Sequence, residues 1–112
     1  MEEKTLIENG TIIDGTGKKP KKESLLIENS NILATGKDAD IIAKEDGVRK
    51  IDATGKTVMP GLIDSHIHVT FDEPSSNDEL FFHRRESLAT IIAAYNARKV
   101  LLAGVTSFCD PD

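Results

Sequence analysis

Residues 59–73 read "MPGLIDSHIHVTFDE" and combine an apolar run with two histidines one residue apart. Its β-branched and apolar residues are typical of a buried strand and predict a strand over 62–71. Because alternate side chains of a strand share one face, we expect Asp64, His66 and His68 to point the same way. Two imidazoles and a carboxylate on one face make this strand a candidate metal site.

The spacing of the two histidines agrees with metal binding but does not prove it. A rise of about 3.3–3.4 Å per residue places them roughly 7 Å apart along the strand. Two imidazoles that lean together can close this gap on one ion, with bonds of about 2.0–2.1 Å. An isolated His-x-His is a weak signal, because a lone buried histidine is usually a hydrogen-bonded core residue. The position favours a metal, since parallel α/β sheets bind ligands where their strands end.

The residues after this strand predict one long helix and a second strand. The helix is expected to open at Ser76 or Asn77, with a Ser76-x-x-Glu79 capping box, and to end at Gly104. Five apolar residues keep the spacing of a single buried face: Leu88, Ile91, Ile92, Tyr95 and Leu102. "VTSFCD" (105–110) predicts the second strand, so the order is that of a βαβ unit with parallel strands.

Residues 1–58 predict short strands separated by Gly and Asn turns, in a small antiparallel sheet or sandwich. Asn9-Gly10 predicts a first hairpin, and residues 29–31 a second. A third strand–turn–strand is expected over 48–59, and a helical turn or a loop over 38–46.

Composition excludes several classes of protein. The 112 residues carry 14 Lys+Arg against 19 Asp+Glu, a net charge of −5, which argues against nucleic-acid binding. No run approaches the roughly 18 apolar residues of a membrane span, and the acidic N-terminus lacks the features of a signal peptide. The single Cys109 fits a reducing compartment and is expected to be a small buried residue rather than a nucleophile. We therefore expect a cytoplasmic protein that does not insert in a membrane.

Taken together, these motifs resemble a known family. "VMPGLIDSHIH" resembles the signature of the amidohydrolase superfamily, in which Pro-Gly-apolar-apolar-Asp-x-His-x-His forms the first barrel strand. "NGTIIDGTG", "LLIENSNILATG" and "IDATGKTVMPG" resemble its small β-sandwich, and "KVLLAGVTSFCD" its first barrel helix and second strand. The resemblance implies an α/β parent, with the N-terminal portion of the β-sandwich over 1–58 and the start of a (β/α)₈ TIM-like barrel over 59–112.

The resemblance also implies a site. His66 and His68 would bind the more buried of one or two divalent metal ions, and Asp64 would orient them. Zinc is the default ion, with manganese, iron or cobalt as alternatives. The other ligands and the general base are implied after residue 112, so the catalytic residues of this chain are unknown. Phe108-Cys109 departs from the usual Val-Arg, which leaves the role of that strand end open.

The tract "FDEPSSNDELFFHRR" (71–85) resembles the branch that includes imidazolonepropionase-like, prolidase-like, phenylurea and molinate hydrolases. It supplies candidates for a substrate pocket, Phe81, Phe82 and His83, and Asp110 joins them from the second strand. The alternative is that the phenylalanines pack the helix onto the barrel and that His83 has no role in binding.

The resulting hypothesis is a hydrolase that cleaves C–N bonds in small amides, ureas or cyclic amides through a metal-activated water. We expect the chain to be the N-terminal fragment of that enzyme and inactive alone. An uncovered helix face and open sheet edges predict a homo-oligomer or association with the rest of the enzyme. The alternatives are a non-catalytic scaffold or assembly protein of the same superfamily and a binding module formed by the β-rich half.

Overall fold

A computed structural model describes residues 3–72 and 74–111, which divide into two compact units between Pro60 and Gly61. Among these described residues, no helix is both long enough and apolar enough to cross a membrane. The assignment of functional domains to 1–58 and 59–112 stays a prediction.

Over residues 3–60, the first unit has seven short strands in two sheets and one helix. The elements are β1 (Lys4–Glu8), β2 (Thr11–Ile12), β3 (Lys21–Lys22), β4 (Leu25–Glu28), β5 (Asn31–Thr35), α1 (Gly36–Ile42), β6 (Arg49–Asp52) and β7 (Thr57–Val58). One sheet has the order β5-β4-β1-β6 and the other β3-β2-β7. The buried core lies between the four-stranded sheet, which supplies Leu6 and Leu26, and α1 with its C-terminal cap, which supply Ala39 and Ala43.

The hairpin predicted at Asn9-Gly10 is wrong. β1 pairs with β4 and β6, whereas β2 pairs with β3 and β7, so the chain passes from one sheet to the other at this dipeptide. Asn9 does have the left-handed φ of 64° that its turn chemistry favours. Its side chain donates to Asp52 Oδ1 at 3.0 Å, and a Cβ at Gly10 would lie 2.8 Å from Val58 Cγ2. Asn9 and Gly10 therefore contact the end of β6 and β7, with which β1 and β2 pair, instead of closing a hairpin between β1 and β2.

The other predictions for this unit are confirmed in part. β4 and β5 form the second hairpin, antiparallel and with φ 55° at Asn29. Of the helical turn or loop expected over 38–46, the helix forms, but it spans Gly36–Ile42. β6 and β7 form as strands, but they pair in parallel with β1 and β2, so the expectation of an antiparallel arrangement fails there. The sandwich assignment stays a prediction.

The second unit contains the predicted βαβ arrangement. Its elements are β8 (Leu62–Asp64), a π-helix (Glu79–His83), α2 (Glu86–Leu102) and β9 (Val105–Phe108). β8 and β9 are parallel neighbours, as expected from the order of elements. Gly104 has a φ of 94° just after α2, which confirms it as the glycine that ends the helix.

The prediction of a single long helix is wrong. Arg84 and Arg85 are extended, with ψ angles of 123° and 137°, and they separate the π-helix from α2. Ser76 Oγ accepts from the Glu79 amide at 3.0 Å, as the capping box predicts. Glu79 returns its bond to the Ser75 amide rather than to Ser76, so the box closes one residue early. Glu73, in the predicted loop, lies outside the described residues.

The buried face of α2 also differs from the prediction. Leu88, Ile91, Tyr95 and Leu102 are exposed in this unit. The partly or fully buried positions are mostly small residues: Ala89, Ile92, Ala93, Asn96, Ala97 and Val100. The apolar periodicity identified the face of α2 that carries large apolar side chains, and this face is exposed. The opposite face, with its small side chains, packs against the rest of the unit.

Candidate metal site at the end of β8

The segment that carries the histidines is not the strand predicted over 62–71. β8 ends at Asp64, whose Oδ1 accepts a hydrogen bond from the His66 amide at 3.1 Å. A side chain that bonds the backbone two residues ahead forms an Asx turn, which competes with an extended strand. The Cys109 amide donates to the Asp64 carbonyl, and the Ile67 amide donates back to the Cys109 carbonyl. Residues 65–66 therefore bulge between two bonds to the chain after β9.

This bulge brings the two predicted ligands together. His66 Nε2 and His68 Nε2 lie 3.2 Å apart, with ring centroids 4.9 Å apart and ring planes at 83°. His66 is exposed and His68 is half-buried, so the nitrogen pair is open on one side. The two rings thus meet through the turn after β8 rather than through a shared strand face.

The nitrogen separation fits a shared metal ion. Two ligands on a tetrahedral ion with bonds of about 2.0–2.1 Å lie roughly 3.3–3.4 Å apart. The 3.2 Å separation is close to this value, and it also suits an N–H···N bond between two neutral rings. In residues 3–72 and 74–111, no cluster of three or more His, Cys, Asp or Glu side chains is arranged to hold a metal. The role of the pair as ligands stays a prediction.

Two further side chains fix the surroundings of His68. Phe71 stacks on its ring, with centroids 4.5 Å apart and planes within 14°. Asp110, after β9, places Oδ1 3.9 Å from His68 Nδ1 and accepts from the Val69 amide through Oδ2 at 3.1 Å. The carboxylate assigned by sequence to a substrate pocket thus lies against the backbone of a candidate ligand.

Sequence reasoning missed two residues that hold the turn after His68. The Asn96 amide group donates to the carbonyls of Val69 and Phe71, both at 2.9 Å. The Arg84 guanidinium donates to the Thr70 carbonyl at 2.9 Å. Asn96 could have been found, because it falls four residues after Ile92 on the helix, where an apolar residue would be expected. Nothing in the sequence distinguishes Arg84 from a surface arginine.

Of the four pocket candidates, Asp110 lies beside His68 and Phe81 lies near it through Phe71, whereas Phe82 and His83 lie on the surface. Phe81 packs edge-on against Phe71, with centroids 5.7 Å apart, beside a shallow pocket of about 220 Å³. Phe82 is 78% exposed, and His83 pairs with Asp78 at 2.9 Å on the surface.

Cys109 is exposed, so its predicted burial is wrong. Cys109 follows the last residue of β9, and its backbone bonds to Asp64 and Ile67, on either side of the bulge at residues 65–66.

Comparisons with known proteins add three likenesses. No family model matches the chain. A dihydroorotase of Thermoanaerobacter sp. is 42% identical over 64 residues, which are 57% of this chain and 14% of that protein. The structure of a molinate hydrolase matches with a TM-score of 0.75 and 29% identity, over 97% of this chain and 24% of that one. A prolidase structure matches with a TM-score of 0.78 and 27% identity, over 96% and 25%.

The chain spans between 11% and 18% of the length of the curated relatives that it matches. Those matches therefore leave most of the length of each relative unmatched.

Proposed function

From the chain's membership of the amidohydrolase superfamily, whose N-terminal part it matches, we propose that the full-length protein hydrolyses C–N bonds in amides, ureas or cyclic amides. The observation that carries the proposal is the 3.2 Å separation of His66 Nε2 and His68 Nε2, just beyond β8. In this account the βαβ unit starts a (β/α)₈ barrel, and the first unit is part of a β-sandwich.

His66 and His68 would hold a divalent ion, with zinc as the default and manganese, iron or cobalt as alternatives. When bound, such an ion polarises a carbonyl group and lowers the pKa of water towards about 7. Both rings must be neutral and present a lone pair at Nε2, which leaves their protons on Nδ1. For His68, Nδ1 faces Asp110, whose carboxylate favours that tautomer. Asp64 holds the His66 backbone by its Asx turn.

The substrate would lie beside these rings, and Phe71 and Phe81 would give its pocket an apolar wall. The similarity to a dihydroorotase, a molinate hydrolase and a prolidase supports a small substrate with a C–N bond and does not choose among their three substrates. The cytoplasmic location and the homo-oligomer stay predictions.

The test compares the full-length protein with a variant that carries His66→Ala and His68→Ala. His83→Ala is the matched control, because it removes the third histidine of the chain at an exposed ion pair. We expect the double variant to lose bound metal and hydrolysis of amide, dipeptide and phenylurea substrates, and the control to keep both. Unchanged metal content and turnover in the double variant would contradict the proposal.

A wild-type protein with far less than one equivalent of metal after growth with zinc would instead favour the non-catalytic scaffold.

A further inference from the structure

We propose that Asn96 and Arg84 are positioning residues that shape the turn over 68–71 and thereby set the orientation of the His68 ring. This inference rests on the proposed role of His68 as a metal ligand.

Side chains donate hydrogen bonds to three successive backbone carbonyls of the turn, at residues 69–71. The Asn96 side chain donates to the carbonyls of Val69 and Phe71. The Arg84 side chain donates to the Thr70 carbonyl between them, and all three bonds are 2.9 Å long. Backbone carbonyls outside a helix or a sheet have no regular partner and must find one elsewhere when they are buried. Three consecutive carbonyls bonded by one side chain of α2 and one from the link between the π-helix and α2 therefore define one backbone shape for this turn.

Both donors are withdrawn from solvent. Asn96 is buried in the middle of α2, where asparagine is a poor helix former. The Arg84 side chain is only 5% exposed and is neutralised by Glu79, with both Nε and Nη2 at 2.9 Å from Oε1. A buried amide or guanidinium is costly without partners, and the turn supplies partners to both. Their placement is thus explained by the turn.

The shape of the turn reaches the His68 ring through Phe71. The Phe71 amide donates to the His68 carbonyl at 3.2 Å, and the Phe71 ring stacks on the imidazole. Freed carbonyls at positions 69 and 71 would let the Phe71 ring shift and would loosen the His68 ring, which still faces Asp110. His66 is held separately by Asp64, so its ring should respond less.

The experiment uses the metal-free full-length protein, labelled with ¹⁵N-histidine, and Co²⁺ as the probe ion. Asn96→Ala should shift or broaden the His68 ring resonances while those of His66 move less. It should also weaken Co²⁺ binding about tenfold, since loss of groups that orient a ligand typically costs 10–100-fold. Ala94→Gly is the control, because it weakens α2 by roughly 1 kcal/mol at an exposed position. This control should leave both readouts unchanged.

A second pair of variants covers the case in which Asn96→Ala does not fold. Arg84→Met removes the bond to Thr70 and should mobilise the His68 ring, whereas Arg84→Lys keeps a cationic donor and should restore much of its order. Wild-type ring spectra in Asn96→Ala, or equal effects in Ala94→Gly, would overturn the inference. Failure of the wild-type protein to bind Co²⁺ through these histidines would overturn the proposed function instead, because the ring spectra need no metal.

Discussion

Gly61 is the position where one added methyl group should do the most damage to the second unit. It directly precedes β8, and its backbone lies against Thr106 of β9. A Cβ at position 61 would lie 2.7 Å from Thr106 Cβ, closer than real Cβ contacts allow. Thr106 Cβ is attached to the backbone, so no rotamer change removes this clash. Gly61→Ala must therefore push β8 away from β9.

The cost follows from two terms. Overpacking typically costs 1–3 kcal/mol. The bond from the Leu62 amide to the Gly104 carbonyl, 2.9 Å long, lies next to the clash, and its loss adds about 0.5–1.5 kcal/mol. The sum is about 1.5–4.5 kcal/mol, which is about a 12- to 1,600-fold change in a local opening equilibrium.

Hydrogen exchange of the full-length protein, followed by mass spectrometry, measures that opening at the Leu62 and Cys109 amides. Gly61→Ala should lower their protection by this factor. Thr106→Gly removes the clashing atoms, so adding Gly61→Ala to it should cost much less than it does in the wild-type protein. A loss of protection below threefold, or equal costs in both backgrounds, would refute the steric reasoning.

Three further predictions concern other parts of the chain. Leu26→Ala, at a fully buried core position, should cost about 2–5 kcal/mol in denaturant unfolding, whereas Ile32→Ala at an exposed position should cost under about 0.5 kcal/mol. Hydrogen bonds from Asn9 and Thr54 lower the pKa of Asp52, so its ionised form stabilises the fold above about pH 3.9, and this contribution is lost as the pH falls through the lowered value. Asp52→Asn should thus be less stable at pH 6, with a deficit in unfolding titrations that shrinks towards pH 2; a constant deficit would contradict this. The 112-residue chain alone should lack hydrolytic activity and should self-associate, and metal-dependent turnover by a monomer in light scattering and amide assays would show otherwise.

The sequence predicted local backbone conformations, but it did not predict which strands pair with each other. Asn9 adopts the turn conformation that its residue type favours, but a dipeptide cannot specify which strands the flanking residues will join. The parallel pairs β1–β6 and β2–β7 depend on residues more than 40 positions apart. The βαβ order was predictable, since the change from strand pattern to helical pattern and the terminal Gly104 are both local signals.

The candidate site shows the same division. The alternation of Asp64, His66 and His68 predicted that the rings would meet, but it assumed an extended strand. The Asp64 side chain bends the chain instead, and the rings meet across a bulge. The asparagine at position 96 was visible as a polar residue in line with apolar ones. Its purpose depends on the turn at 68–71, some 25 residues away, which no helical period encodes.

Zinc K-edge X-ray absorption of the zinc-loaded full-length protein counts the histidines bound to the ion, because imidazole ligands give a distinct scattering pattern at bonds of about 2.0–2.1 Å. The variant with His66→Ala and His68→Ala should either bind no zinc or show two fewer imidazoles per ion than the wild-type protein. His83→Ala should match the wild-type spectrum. The same number of imidazoles in the double variant and the wild-type protein would contradict the assignment of His66 and His68 as metal ligands.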